Sequence, residues 1–248
     1  MELLLDVWEG SLDISEDIIA EGGVVGLLIR LNHISGGHHM DTYFKTQWVQ
    51  AAQFLRCPYF VYNPWVDGRA NFLWLMANLP PNDVTLIAAD IEVKYPDYSP
   101  EEYADQVATF TDLVKAQCHM VIYTGEWFMS CLSHWPRNVE YWWARYPYKL
   151  YPTPSEAWSY EKLRIMTEAV GWHPDPIKKS PGPVKLWQCS GDRIKLPGCC
   201  GRAVDVNLWQ GDLNSLKVWW GADTPIVVPP TYEQKVDILW NAHADLHP

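Results

Sequence analysis

Two acidic side chains, Asp90 and Glu92, end an apolar run that begins at Leu86. Because side chains alternate along a β-strand, both carboxylates would point to one side, about 6.5–7 Å apart, with Ile91 on the other side. Paired carboxylates on a rigid element have their pKa values pushed apart, so one can stay protonated while the other stays charged. Glycoside hydrolysis needs such a pair. An isolated Asp-x-Glu is also common at solvated strand ends, so the pair gains meaning only from a surrounding site.

Two further acids, Asp6 and Asp205, lie in short apolar segments near the two ends of the chain, residues 3–8 and 203–208. With the first pair they make four acids at predicted strand ends. The carboxyl ends of the strands of a parallel barrel open on one face, where the loops assemble the active site. We therefore expect the four acids to converge at one rim.

The elements that must position these acids alternate between strand and helix through the first half of the chain. Apolar runs predict strands at residues 3–8, 24–30, 58–62, 86–93 and 120–123. Periodicity and end signals predict helices at residues 14–20, 43–55, 71–79 and 99–117, the last one opened by a capping box at Ser99. Repeated strand and helix units favour an α/β fold with a closed barrel.

The regular alternation of predicted strands and helices ends in the second half of the chain. Predicted strands at residues 139–146 and 184–189 are separated by an insertion, residues 153–183, in which a capping box at Thr153 predicts a helix to about Ala169. We interpret this insertion as a lid or rim element beside the barrel mouth. The barrel is then predicted over residues 1–221.

Residues 222–248 are predicted to be a Pro-rich linker and a short amphipathic helix. Tyr232, Val236, Leu239 and Trp240 fall on one stripe of that helix, and an apolar stripe must bury against something. It would dock on the barrel, pair with a second copy or lead to a further module.

The composition narrows the function classes. There are 19 Lys and Arg against 30 Asp and Glu, giving a net charge of −11 with no basic run, which argues against nucleic acid as a partner. The amino terminus has no basic segment, and no apolar run approaches the ~18 residues of a membrane span, so neither a signal peptide nor a transmembrane helix is predicted.

The 6 cysteines are scattered, which predicts buried thiols. The exception is Cys199-Cys200, one of which could form a disulfide with another cysteine in an oxidising environment. His33, His38 and His39 are expected in a solvated loop, without metal.

Six motifs occur in an order that resembles the glycoside hydrolase family 25 muramidases, the lysozyme type of bacteria, fungi and phage endolysins. They are Leu5-Asp6-Val7 with Trp8 and Gly10, Asp90-Ile91-Glu92, Tyr123-Thr124-Gly125, Trp142-Trp143-Ala144-Arg145-Tyr146, Leu186-Trp187-Gln188 and Val204-Asp205-Val206-Asn207. The resemblance covers roughly residues 3–221. It implies an irregular TIM-like barrel of five β/α units followed by strands that lack regular helices.

The resemblance also implies an activity, hydrolysis of the β-1,4 bond between N-acetylmuramic acid and N-acetylglucosamine in bacterial peptidoglycan, without a cofactor. By its motifs, Glu92 matches the general acid and Asp90 the carboxylate that steadies the N-acetyl group or the developing positive charge. Asp6 and Asp205 match the acids that orient this pair and contact the sugar. The aromatic positions implied along the groove are Tyr62, with Tyr59 close by, Tyr123, Trp142 and Trp187.

Other residues near these motifs are less constrained. Arg145 is expected either to bind substrate or to pair with a carboxylate at the mouth. Trp8 and Glu9 replace the Ser and Gln usual in the family, which is expected to change sugar contacts near Asp6. The separation expected for the acid pair leaves the stereochemical course open.

The rival hypothesis is a barrel that binds cell-wall glycans without cutting them, in a phage or host-attachment assembly. An intact Asp90 and Glu92 favour the enzyme, because a pure binder has no reason to keep an acid pair that is costly to bury. With no signal peptide, the protein is expected to be made in the cytoplasm and to reach the wall after release, as endolysins do, or to be secreted by an unidentified route.

Overall fold

The computed structural model describes residues 1–10, 14–80, 84–94, 97–172 and 180–222. Eight strands close into a barrel. They are β1 (Glu2–Val7), β2 (Val24–Arg30), β3 (Leu55–Val61), β4 (Leu86–Asp90), β5 (His119–Gly125), β6 (Glu140–Ala144), β7 (Val184–Lys195) and β8 (Ala203–Trp209). Strands β1 to β7 run parallel in sequence order, and β8 closes the barrel by pairing antiparallel with both β7 and β1. The predicted irregular TIM-like barrel is confirmed.

Helices cover the outside of the barrel and one of its ends. In the described part of the chain they are α1 (Glu16–Glu21), α2 (Phe44–Gln50), α3 (Gly68–Asn78), α4 (Pro100–Lys115), α5 (Tyr160–Val170) and α6 (Leu213–Trp220). The first four each follow one of the first four strands, whereas β5 leads into a 3-10 helix, Glu126–Cys131. Helix α4 begins with the predicted capping box, because the Ser99 hydroxyl accepts the Glu102 N–H while the Glu102 carboxylate accepts the Ser99 N–H.

The insertion folds differently from its prediction. Its helix, α5, begins at Tyr160, where the Ser159 hydroxyl accepts the backbone N–H of Lys162. The proposed start at Thr153 was wrong, because the segment Glu156–Ala157 instead pairs as a two-residue strand with the end of β7. The predicted tail helix lies outside the described residues. Among the residues that are described, no helix has the length and apolarity to cross a membrane.

Strand alternation divides the apolar side chains into two cores. The outer core lies between strands and helices and includes Ile29, Phe60 and Ile122. The inner core fills the barrel, and α6 closes its amino-terminal end with Leu216 and Trp220, both essentially unexposed. Side chains that point into the barrel therefore pack against α6 at its amino-terminal end or line an open rim at the carboxyl ends of β1 to β7.

Candidate active site

A cleft with a cavity volume of about 400 Å³ opens at the carboxyl-terminal rim of the parallel strands. All four predicted acids line it. The lining residues are Asp6, Trp8, Arg30, His33, Ile34, Tyr59, Val61, Asp90, Glu92, Val93, Tyr123, Trp142, Gln188, Asp192 and Asp205. No described residue of the insertion 153–183 is among them, which does not support a lid, whereas its Glu156–Ala157 segment pairs with the carboxyl-terminal end of β7, beside the rim.

A larger cavity, about 710 Å³, lies at the opposite rim around His119 and Glu140. The carboxylate of Glu140 already has hydrogen-bond partners, because it accepts from His119 and from the indole of Trp219. These bonds and the nearby Lys185 outweigh burial and lower the pKa of Glu140. The smaller cleft, where acids with raised pKa values gather, is therefore the better candidate for chemistry.

The acids reach the cleft by two routes. Asp90 ends β4 and Glu92 follows it with the same inward parity, while Ile91 turns outward into the outer core, as alternation predicts. Asp205 arrives differently. It lies near the start of β8, and because β8 is antiparallel, that end of the strand is at the rim, directly opposite Asp6 of β1. The expectation that all four acids end parallel strands was therefore wrong for Asp205, although its position at the rim was right.

Amide and backbone donors hold Asp6 and Asp205. Asp6 Oδ2 accepts hydrogen bonds from Gln188 Nε2 at 2.9 Å and from Asn207 Nδ2 at 2.8 Å. Asp205 accepts from Gln188 Nε2 at 3.3 Å and from the backbone N–H of Asp192. Burial raises the pKa of Asp6 to about 6 in spite of its two amide donors. Burial and the charge of Asp6 raise the pKa of Asp205 well above its usual range.

The donor to Asp205 depends on a bulge in β7. Ser190 lies opposite Val206 and Ile194 opposite Val204, so three residues of β7 are left without partners between them. At its centre, Asp192 has a φ of +48°, in the left-handed region. A non-glycine residue there costs about 1–2 kcal/mol, and bulges of this kind often re-aim a group beside an active site. Here the bulge aims the Asp192 N–H at Asp205.

Asp90 and Glu92 have far less support. Asp90 Oδ1 is buried and has no hydrogen-bond partner among the described residues. Burial, and then the charge of Glu92, raise the pKa of Asp90 well above its usual range, while Arg30 opposes the shift. Glu92 is only partly buried, and its pKa is raised by burial and then by the charge of Asp6. The pair therefore holds protons at pH values where isolated carboxyl groups would be ionised.

Arg30 is a cation of the cleft whose charge is largely engaged. Its Nε donates to Asp41 Oδ2 at 2.8 Å, and its guanidinium lies 3.3 Å from a Glu9 carboxylate oxygen. The same guanidinium lies 4.7 Å from the centre of the Trp8 ring. Trp8 and Glu9, the two departures from the family motif, thus support this arginine.

Two of the predicted aromatic residues lie in the cleft. Tyr123 and Trp142 pack with their ring centres 4.4 Å apart, and Tyr59 meets Trp142 edge-on at 6.0 Å. Tyr123 donates its hydroxyl to Gln188 Oε1 at 2.8 Å, and the Trp142 indole donates to Asn207 Oδ1 at 2.7 Å. Their polar ends are therefore tied to the amides that hold Asp6.

Three predicted site residues are not in the cleft. Tyr62 has outward parity and packs against Tyr103 and Phe110 in the outer core, so Tyr59 is the tyrosine of β3 that lines the cleft. Trp187 also faces outward, is fully buried and donates its indole N–H to the backbone carbonyl of Arg145.

The side chain of Arg145 itself is exposed and is not part of the cleft lining. Within the described residues no ion pair joins it to an acid of the cleft, so neither role expected for Arg145 is supported.

The histidine loop also differs from its prediction. His38 is half-buried, stacks on Trp74 at 4.8 Å, and hydrogen-bonds to Asn32 and Asn71. Burial lowers its pKa to about 4, so His38 is a partly buried, neutral side chain rather than a solvated one. His33, which stacks on His39, lines the cleft.

Several site residues were missed at the sequence level. Gln188 and Asn207 share inward parity with Leu186 and Asp205, a signal that strand alternation alone would have supplied. Arg30 likewise ends β2 with the parity of Leu28. The Asp192 donor carries no comparable signal, because it depends on a local bulge.

The chain matches the family model described as Glycosyl hydrolases family 25 over residues 5–168, about two-thirds of its length. Its fold is similar to that of a family 25 glycosyl hydrolase from Bacillus anthracis, with 13% identity, 88% of this chain and 93% of the other covered, and a TM-score of 0.65. A bacterial lysozyme from Streptomyces coelicolor gives 18% identity, coverage of 89% and 97%, and a TM-score of 0.64. A muramidase from Trichobolus zukalii gives 16% identity, with 90% of this chain and 100% of the other covered, and a TM-score of 0.66. No curated protein sequence matches the chain. The family match shows that the chain belongs to glycosyl hydrolases family 25 and is a glycoside hydrolase.

Proposed function

We propose that this protein hydrolyses peptidoglycan by cleaving the β-1,4 bond between N-acetylmuramic acid and N-acetylglucosamine. The observation that carries the proposal is the Asp90 and Glu92 pair, which lines a rim cleft and has raised pKa values. Membership of family 25 and structural similarity to proteins described as a lysozyme and a muramidase add support.

Glu92 serves as the general acid. Its side chain lines the cleft and is only partly buried, so it can reach a glycosidic oxygen. Its raised pKa favours the protonated form that a proton donor needs near neutral pH. As the bond from the anomeric carbon to oxygen breaks, the proton of Glu92 passes to the leaving oxygen.

Asp90 assists from deeper in the cleft. The pair shares protons in the free enzyme, and positive charge developing on the sugar lowers the pKa of Asp90, which leaves the proton on Glu92. The Asp90 carboxylate then stabilises that charge or orients the acetamido group of the substrate. A water molecule completes the reaction at the anomeric carbon and returns a proton to Glu92.

A row of aromatic rings, Trp127, Tyr146 and Tyr151, lies beside the cleft, where the Tyr146 hydroxyl donates to Gln188, and offers a surface for neighbouring sugars. Trp127, 51% exposed, stacks on Tyr146 with ring centres 6.2 Å apart, and Tyr146 stacks on Tyr151 at 5.0 Å. The guanidinium of Arg193 lies 5.1 Å from the centre of the Tyr151 ring. Flat apolar rings suit sugar faces, and the cation suits the carboxylates of muramic acid and of its peptide stem.

The test is digestion of purified peptidoglycan, followed by borohydride reduction and mass spectrometry. New muramitol ends are expected. New glucosaminitol ends alone would mean that the other glycosidic bond is cut. Binding to walls in a sedimentation assay without any new reducing end would instead support the glycan-binding alternative. The double variant Asp90→Asn, Glu92→Gln provides the inactive control.

A further inference from the structure

Two amide side chains converge on a single oxygen of Asp6. Gln188 of β7 and Asn207 of β8 are cross-strand partners, and both are buried. Each donates to Asp6 Oδ2, at 2.9 and 2.8 Å respectively. An oxygen that accepts two amide donors is better satisfied as part of a carboxylate than as part of a neutral acid.

Aromatic donors fix the orientation of both amides. The Trp142 indole can only donate, and it occupies Asn207 Oδ1 at 2.7 Å, so the NH2 group of Asn207 must face Asp6. The hydroxyls of Tyr123 and Tyr146 occupy Gln188 Oε1 at 2.8 and 2.6 Å. Reversing the Gln188 amide would set its oxygen against an acidic oxygen and would require both tyrosine hydroxyls to accept instead of donate.

The acid opposite Asp6 then takes the proton. Asp6 and Asp205 are direct partners across β1 and β8, and Gln188 Nε2 lies 2.9 Å from Asp6 Oδ2 and 3.3 Å from Asp205 Oδ2. Asp6 Oδ2 accepts two short amide bonds, whereas Asp205 Oδ2 accepts only the longer bond from Gln188, so the proton of the pair is better placed on Asp205. The other charged or titratable groups of the cleft around Asp6 are Arg30 of β2, His33 after β2, Tyr59 of β3, Asp90 and Glu92 at β4, Tyr123 of β5, Tyr146 after β6 and Asp192 of β7.

We propose that Gln188 and Asn207 are positioning residues that keep the negative charge on Asp6 and the shared proton on Asp205. Their consequence for turnover rests on the proposed function. The charge of Asp6 raises the pKa of Glu92, so an ionised Asp6 helps to keep the general acid protonated. The aromatic residues hold the amides, the amides hold the charge of Asp6, and that charge favours the proton on Glu92.

The first test is the variant Gln188→Met, which keeps much of the side-chain volume and removes the donor. Carboxyl carbons of aspartate are followed by NMR in selectively 13C-labelled protein, with Asp6→Asn and Asp205→Asn used for assignment. We expect the titration midpoint of Asp6 to rise by about one unit. We also expect the basic limb of the kcat/KM profile to move down by about 0.5–1 unit, because Glu92 loses the nearby charge.

A second variant protects the test against simple misfolding. The double change Tyr123→Phe, Tyr146→Phe leaves Gln188 in place and removes only the hydroxyls that orient it, so smaller shifts in the same directions are expected. The matched control is Tyr141→Phe, whose hydroxyl donates to the Pro136 carbonyl outside the cleft and whose removal should leave both titrations unchanged.

The outcomes separate the two proposals, because the NMR titration needs no substrate. An unmoved Asp6 midpoint in folded Gln188→Met would overturn the positioning role, even if the rate fell. A shifted midpoint in a protein that cuts no peptidoglycan would leave the proton placement standing and reject the proposed function. A shifted midpoint with an unmoved kcat/KM limb would reject the link from Asp6 to Glu92.

Discussion

The two walls of the cleft hold their acids in opposite ways. On one wall, formed by β1, β7 and β8, donors from Gln188 and Asn207 converge on Asp6, and a strained bulge supplies a backbone N–H to Asp205. On the other wall, Asp90 has a buried oxygen without a partner among the described residues. Within the same residues, no hydrogen bond reaches the Glu92 carboxylate.

This difference indicates a division of labour. Groups held by several donors are preorganised and need little rearrangement when charge develops nearby. Groups without partners keep their lone pairs and protons available to a substrate. We therefore propose that Asp90 and Glu92 carry out bond cleavage and that Asp6 and Asp205 provide electrostatic support.

The largest effect is expected at the unsupported wall. Glu92→Gln removes the proton donor without breaking a described hydrogen bond, so kcat/KM on peptidoglycan should fall about 10³-fold with an unchanged Tm. The control Glu101→Gln, on the exposed start of α4, should retain the parent rate. Retention of more than a tenth of the activity by Glu92→Gln would contradict the assignment of bond cleavage to the wall that carries Asp90 and Glu92.

The pH dependence of folding stability should reveal the cost of ionising the buried Asp6 on the supported wall. The pKa of Asp6 is raised from 3.8 to about 6, so the folded state binds its proton more tightly than the unfolded state. Folding stability should therefore be highest at low pH within this window and fall as pH rises from about 4 to 6, by on the order of 3 kcal/mol from Asp6 alone. Urea unfolding at pH 4 and pH 7.5 measures most of this fall, and Asp6→Asn is expected to reduce the difference. A parent protein that is more stable at pH 7.5 would contradict the sign.

Asp90→Asn should separate activity from stability. It removes the carboxylate that we propose assists catalysis, so kcat should fall about 10²-fold. It also removes a buried acid whose pKa is raised by burial and by Glu92, so its Tm at pH 7 should exceed that of the parent. Calorimetry at pH 7 provides the comparison, and a lower Tm would contradict the view that the buried Asp90 carboxyl group destabilises the fold.

A smaller effect is expected along the aromatic row. Trp127→Ala should raise KM for long glycan strands by about fivefold and leave kcat nearly unchanged, because the ring would contact sugars outside the reacting pair. Val49→Ala, at another exposed apolar side chain outside the cleft, is the control. An equal KM for long strands in parent and variant would exclude Trp127 from binding.

The smallest effect tests the boundary of the cleft. Tyr62→Phe removes a buried hydroxyl that has no partner among the described residues, away from the cleft, so kcat and KM should match those of the parent. The corresponding change at Tyr59, which lines the cleft, should raise KM measurably. Identical behaviour of the two variants would contradict the assignment by strand parity.

The alternation of parallel strands and helices and the positions of Asp90 and Glu92 were predictable because they follow from local patterns. The alternation of Asp90, Ile91 and Glu92 correctly gave two acids on one face, and the capping box at Ser99 marked the start of α4. Parity would also have excluded Tyr62 and Trp187, since each neighbours an inward residue.

Other features depend on contacts between distant segments. The antiparallel direction of β8 brings Asp205 to the rim by its amino-terminal end, which no local pattern of residues 203–209 specifies. The capping signal at Thr153 does not start a helix, because Glu156–Ala157 pairs as a strand with residues of β7 about 40 positions further along the chain. The bulge that aims Asp192 at Asp205 likewise exists only once β7 and β8 are paired.

The central claim, that Glu92 donates the proton to the leaving sugar, is tested most directly by changing the leaving group. The parent and Glu92→Gln are compared on peptidoglycan and on an aryl β-glycoside of N-acetylmuramic acid, whose phenolate departs without protonation. We expect the loss of about 10³-fold on peptidoglycan to shrink to less than about tenfold on the aryl glycoside. Equal losses on the two substrates would contradict the role of Glu92 as the general acid.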